Sequence, residues 1–256
     1  MKWLLIVFFL GLTVFEVDKK INSGRGSHHS KRSFQSFAIL ELFTSEGCSS
    51  CPPADELLPQ LASTDASIIP LSFHVDYWDQ YGWKDPFSNA SFTDRQRDYA
   101  KHFRLESIYT PQLVINGEKE LVGSNRSLAE KEISKLLKEK ARLQATIDDV
   151  KKENDKLSVS CHLDGDLQNS ELIAVIVQKH AETNVRGGEN HGIKLSHTNV
   201  ARSFLKLPAQ GKMDFQIPVP ANLINDTSAS KPNWQLIIYT QRRSDLKITG
   251  AALYNP

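Results

Sequence analysis

Two cysteines separated by two residues, in Gly47-Cys48-Ser49-Ser50-Cys51-Pro52-Pro53, are the side chains of this chain best suited to chemistry. A pair so spaced can close a disulfide. At the start of a helix, the unpaired N–H groups and the positive dipole end also stabilise a thiolate. The N-terminal cysteine then titrates below its usual value of about 8.5. Cys48 is expected to be the attacking sulfur and Cys51 the resolving one, releasing a mixed disulfide by internal attack. A pair working in this way has to be reachable from solvent. The same spacing also serves a plain stapling disulfide, and that alternative stays open.

Other residues gather around this motif in the sequence. His74 and Asp76 end a short apolar run, and alternation puts them on one side of it, where either could shuttle a proton for Cys51. Equally, they could be a hydrogen-bonded pair that fixes a loop. Tyr77, Trp78, Tyr81, Trp83 and Phe87 follow closely, too dense for a solvated loop; they read as a satellite core or the wall of a substrate groove. Cys48, Cys51 and His74 could alternatively hold a soft metal such as copper(I). Cys161 shares a strand face with Leu157, Val159 and Leu163, which indicates a buried small hydrophobe rather than a third redox group. The loop Arg186 to Gly192 is glycine-rich but lacks the context of a phosphate loop, and it is placed against the first domain. Sequons at Asn89, Asn125 and Asn225 are read as chance.

The elements that must position these groups follow from periodicity. Phe37 to Phe43 reads as a buried strand with one acid, and Leu57, Leu58 and Leu61 mark a helix that opens at the prolines. Ser67 to Val75 reads as a second strand, parallel to the first because a helix connects them. A helix around Phe92 to Phe103 precedes Tyr109-Thr110-Pro111, a strand Gln112 to Asn116, an Asn-Gly turn and a strand Lys119 to Gly123. Ser127, with Glu130 three residues on, is expected to cap the last helix. The order is β-α-β, a helix, then β-β-α, which is that of the thioredoxin fold. Beyond about residue 141 the pattern turns to alternation. Strands are expected at Leu143 to Ile147, Leu157 to Leu163, Leu172 to Gln178, Val200 to Leu207, Met213 to Val219, Trp234 to Gln241 and Leu246 to Ala252. The fold class is therefore α/β, a thioredoxin-like domain (37–140) followed by an antiparallel β extension (141–256), after a leader and polar tether (1–36).

The stretch Glu41-Leu42-Phe43-Thr44-Ser45-Glu46-Gly47-Cys48-Ser49-Ser50-Cys51-Pro52-Pro53-Ala54-Asp55 resembles the signature of a secreted, thioredoxin-like family of unknown function. The likeness continues through Phe73 to Asp79, Gly82 to Phe87, Tyr109 to Gln112 and Gly188 to Gly192. It implies a thioredoxin-like domain with a C-terminal β extension, found mostly in Gram-negative bacteria, and it supplies no activity. In thioredoxin-like folds a cis-proline beside the dithiol presents backbone to substrate; by this resemblance Pro111, preceded by Thr110, takes that place. Ser49-Ser50 between the cysteines departs from the dipeptides of known oxidoreductases, which leaves the direction of electron flow open.

Bulk properties set the remaining bounds. Lys plus Arg (31) nearly cancels Asp plus Glu (30), so neither nucleic acid nor an anionic membrane is called for as a partner. The expected partner is a thiol- or disulfide-containing protein or small molecule. Lys2 and the apolar run Trp3 to Phe15 suit a signal peptide, being shorter than the ~20 residues a spanning helix needs. An uncleaved N-terminal anchor is the other reading. Export would place the cysteines in an oxidising, extracytoplasmic compartment. A thiol-disulfide oxidoreductase is the leading function, with copper binding or a non-catalytic interaction module stapled by a disulfide as alternatives.

Overall fold

The computed structural model describes residues 30–220, 223 and 232–256; the expected signal run Trp3 to Phe15 and Asn225 lie outside them. Ser30–Ser33 form a short strand, β1, paired antiparallel with the last strand of the chain. This polar segment falls within the expected tether. It carries no strand signal because it is an exposed edge held by backbone pairing rather than by buried side chains.

Strands β2 (Ala38–Thr44) and β3 (Ile68–His74) pair in parallel, with Leu42 opposite Ser72. Both are buried along their whole length, which is why neither alternates with polar residues. Helix α1 (Pro52–Ala62) connects them, with prolines in its first turn where no N–H is needed. Leu57, Leu58 and Leu61 pack with Leu40, Leu42 and Leu113. Helix α2 (Ala90–Phe103) is capped by Asn89, which accepts from the Ser91 N–H. Strands β4 (Gln112–Ile115) and β5 (Lys119–Val122) form the hairpin that Asn-Gly predicts, with φ of 48° at Asn116 and 67° at Gly117. A Cβ on Gly117 would lie 1.9 Å from the Leu246 carbonyl oxygen, so only glycine fits there. Helix α3 (Arg126–Leu136) is capped by Asn125, which accepts from the Leu128 N–H, and not by Ser127. Asparagine caps at least as well as serine, so the earlier residue takes the role.

The C-terminal half is all strand: β6 (Leu143–Glu153), β7 (Lys156–Gly165), β8 (Ser170–Asn184), β9 (Lys194–Pro208), β10 (Lys212–Pro218), β11 (Trp234–Arg242) and β12 (Ile248–Asn255). The fold is mixed α/β and mostly β. One sheet has nine strands in the order β1-β12-β11-β8-β9-β3-β2-β4-β5, and a second has three, β10-β7-β6. Strand β9 joins the halves. It runs parallel to β3 at Ser72 and Val200 and antiparallel to β8. The large sheet curls far enough for the Ile248 N–H to bond the Asn116 carbonyl, although β12 and β4 are far apart in sheet order.

Strands β8 and β11 are buried on both faces. Ile173, Val175, Ile237 and Tyr239 face a core shared with Phe43, Phe73, Phe92 and Tyr99. Their neighbours Leu172, Ala174, Leu236 and Ile238 pack against Leu143, Val159, Cys161 and Leu163 of the small sheet. Period-two alternation sends successive side chains to opposite cores.

Candidate functional site

Cys48 and Cys51 are joined by a disulfide, their Cα atoms 5.5 Å apart, with Cys51 immediately before the first residue of α1. The Cys51 carbonyl accepts from the N–H groups of Ala54 and Asp55, which begins the helix. The Thr110–Pro111 peptide bond is cis. Ser50 Oγ lies 3.3 Å from Cys48 Sγ and donates to the Thr110 carbonyl at 3.4 Å, so the cysteine turn and the residue before Pro111 adjoin. Gly47 is pressed on the other side, where a Cβ would come within 3.2 Å of the Trp78 Cβ.

Solvent does not reach this sulfur pair. Both cysteines are 0% exposed, contrary to the access that the sequence argument required, while Ser49 and Ser50 between them are exposed. The loop that joins β8 to β9 is bonded to the backbone of the cysteine turn. Asn190 Nδ2 donates to the carbonyls of Glu46 and Cys48, both at 2.9 Å, and the Ser49 N–H donates to Glu189 Oε2 at 2.9 Å. Those bonds from Ser49 hold the Glu189 carboxyl below its usual range. The loop also lies flat on the aromatic segment: a Cβ on Gly187 would fall 2.2 Å from the Gly82 carbonyl oxygen.

Glu46 and Asp55, which flank the cysteines in the chain, belong to a buried polar cluster. His74 Nδ1 is 2.7 Å from Asp85 Oδ2, which also accepts from the Glu46 N–H at 2.8 Å. Burial would raise the Asp85 carboxyl, but His74 and the N–H groups of Glu46 and Phe87 hold it below its usual value. Glu46 Oε2 accepts from Trp83 Nε1 at 2.8 Å, and Asp55 Oδ2 accepts from Thr44 Oγ1 at 3.0 Å. Between the two acids sits His197 of β9, with Nε2 3.3 Å from Glu46 Oε1 and Nδ1 3.6 Å from Asp55 Oδ1. Burial alone would lower the imidazole, yet Asp55 and Glu46 push it up to about 10. The His197 ring stands edge-on to His74, centroids 4.6 Å apart.

The structure therefore brings Cys48, Cys51, Thr110, Pro111, Trp78 and Trp83 to one place, with His74 in the adjoining polar cluster. Trp78 Nε1 donates to Thr110 Oγ1 at 2.8 Å, and Trp83 reaches Glu46, so both indoles brace the cysteine turn. Tyr77 and Trp78 pack on the main core, and Tyr81 is exposed. Asp76 lies past the end of β3, where alternation no longer governs it, and accepts from Thr93 Oγ1 of α2 at 2.5 Å. Cys161 is a free, buried thiol, pushed up to about 12 by burial and by the nearby Asp148 and Asp214. Among the described residues, no group of three or more His, Cys, Asp or Glu side chains is arranged to hold a metal ion, and no helix is long and apolar enough to cross a membrane.

Sequence reasoning passed over Glu46, Asp55, Asp85 and His197. Three carboxylates so close to aromatic and apolar neighbours are themselves a signal, since buried acids need partners. His197 carries no local signal at all.

Known structures share this fold. A crystal structure of an Agrobacterium tumefaciens protein matches with a TM-score of 0.62 at 22% identity, over 84% of this chain and 92% of that one. HBP35 of Porphyromonas gingivalis matches with a TM-score of 0.59 at 15% identity, over 86% of this chain and 75% of that one. No curated protein sequence matches. The model of one family, described as "Protein of unknown function (DUF1223)", matches residues 39–241, and the chain belongs to that family.

Proposed function

We propose that this protein is an extracytoplasmic, thioredoxin-like thiol-disulfide oxidoreductase that exchanges electrons with protein or small-molecule thiols through Cys48 and Cys51. The observation that carries this reading is the disulfide at the start of α1 lying beside the backbone of Thr110 and Pro111. A helix N-terminus lowers the cost of a negative sulfur, and an adjacent strand start gives an extended substrate something to pair with. The order β2-α1-β3-α2-β4-β5-α3, with β4 antiparallel to β2, supports the thioredoxin-like reading. The leader-like run Trp3 to Phe15 supports export, where a disulfide persists.

Burial of the sulfurs adds a condition. The Glu189-Asn190 loop has to lift before a partner thiolate can attack. The test is a redox titration of the purified protein in glutathione buffers, read by mass shift after alkylation, together with Cys51→Ser as a trap for mixed disulfides. A midpoint inside the span of known oxidoreductases, roughly −120 to −270 mV, and a Cys48-linked adduct with a thiol substrate are expected. A pair that remains oxidised below about −300 mV would be a structural staple, and the reading would fall.

A further inference from the structure

Buried polar atoms without hydrogen-bond partners are rare in folded proteins, and those that occur call for an explanation. Among the described residues, such side-chain atoms number seven, and five belong to Glu46, Asp55, His74 and His197. They are concentrated on two acids that flank the cysteines in the chain and on the two histidines that adjoin them. Glu46 lies two residues before Cys48, and Asp55 lies one helical turn after Cys51, on the same face of α1. His197 comes from β9, close after the β8–β9 loop whose Glu189 and Asn190 bind the cysteine turn. Its strand is fixed at this height by Ser72 Oγ, which donates to the Thr198 carbonyl at 2.8 Å, and by Asn199 Nδ2, which donates to the Pro70 carbonyl at 3.0 Å.

We propose that His197 is a positioning residue of the dithiol: its imidazolium, held between Glu46 and Asp55, offsets both carboxylates and so allows a reduced cysteine to remain a thiolate. This inference rests on the exchange reading above. Charged groups face His197 from three elements. Glu46 approaches from the turn before Cys48, Asp55 from α1, and His74, bound to Asp85, from β3. On the remaining side is the Phe87 ring, with the Arg202 guanidinium over it. Without His197, two buried carboxylates would stand unopposed next to a sulfur that has to carry negative charge. Mutual repulsion of that kind raises a thiol's titration point.

In the exchange, a thiolate of a substrate dithiol attacks one sulfur of the pair, the Cys48–Cys51 bond breaks, and the other cysteine leaves as a thiolate. The second substrate thiolate attacks the mixed disulfide, forms the substrate's own disulfide and frees the first cysteine. Two electrons pass from substrate to protein. Of the two protons shed by the substrate thiols, one neutralises one cysteine of the pair and the other passes to solvent while the second cysteine remains a thiolate. His197 forms no bond to sulfur in this sequence; it sets how readily negative sulfur is tolerated between the steps.

The test is the pH profile of iodoacetamide alkylation of the chemically reduced full chain, for wild type, His197→Gln, Asp55→Asn and the double variant. In His197→Gln the profile is expected to move up by at least about one unit, making alkylation near neutrality about tenfold slower. Asp55→Asn is expected to move it down, and the double variant back toward wild type, a rescue that a merely structural role would not produce. A folded His197→Gln variant with an unmoved profile overturns the proposal. If that variant does not fold, an unmoved or upward-shifted profile in Asp55→Asn overturns it instead. Resistance of the wild-type disulfide to glutathione buffers is a different result, and it removes the exchange reading itself together with any role for His197 in it.

Discussion

Asn190 places both protons of its amide on carbonyls of the cysteine turn, and Glu189 takes the Ser49 N–H. A single such bond contributes about 0.5–1.5 kcal/mol net, so losing two corresponds to roughly five- to a hundredfold more of the open state, with about tenfold a conservative figure. Asn190→Ala is therefore expected to speed reduction of the disulfide by dithiothreitol about tenfold, as followed by stopped-flow fluorescence of the neighbouring tryptophans. Equal rates would mean that the loop does not limit access. The same site makes stability depend on pH. His197, raised to about 10 from an unfolded value of about 6.5, contributes stability that is whole below 6.5 and is lost as pH climbs through 10. Asp85 has the opposite sign: its folded value is lowered, so its contribution is present above the ordinary carboxylate range and lost as acid protonates it. Urea midpoints should thus fall on both sides of neutrality, and in His197→Gln the alkaline fall should flatten. At this scale the cysteine pair was legible because its spacing is local, whereas Pro111 was singled out only by the family resemblance. His197 was not legible, because only the pairing of β9 with β3 brings it between Glu46 and Asp55.

Among elements, α2 is tied to β2 by a buried ion pair. Its Arg95, 3% exposed, donates Nε to Glu41 Oε1 at 2.8 Å and Nη2 to Oε2 at 3.0 Å. The rings of Phe73, Tyr99, Phe204 and Tyr239 surround the guanidinium. Arg95→Met would leave the Glu41 carboxylate buried without an opposite charge, at a cost of about 3–5 kcal/mol. Chemical denaturation should register that loss. Adding Glu41→Gln should recover much of it, and no recovery would show that packing rather than charge dominates. The acid inside the run Phe37 to Phe43 was visible in the sequence, and its partner was not, since Arg95 sits in a helix whose polar composition reads as exposed. Strand positions beyond residue 141 were legible from alternation in β6 and β7 and from continuous apolar runs in β8 and β11. The extra length of β8 and β9 was not, because their outer ends are half-exposed and pair through backbone.

For the molecule as a whole, β9 decides how far the halves are independent. The core that contains Phe43, Phe73 and Tyr99 is completed by Ile173, Val175, Ile237 and Tyr239 from beyond residue 140. A fragment of residues 37–140 would expose that face, and it is expected to lack a cooperative thermal transition and to aggregate. A sharp transition in the fragment would show two self-sufficient domains. Sequence periodicity names the strands, but it carries no information on which of them are neighbours, and the joining of β3 to β9 is a contact of that kind.

The covered disulfide also separates chemical environment from oxidation state. Small reductants that diffuse past meet the hydroxyls of Ser49 and Ser50, not sulfur. A bond so shielded meets ambient thiol only in the moments when the β8–β9 loop is lifted, so it equilibrates slowly with small reductants and quickly with a macromolecule able to pry that loop away. Its status would then lag the surroundings and follow encounters with such a client.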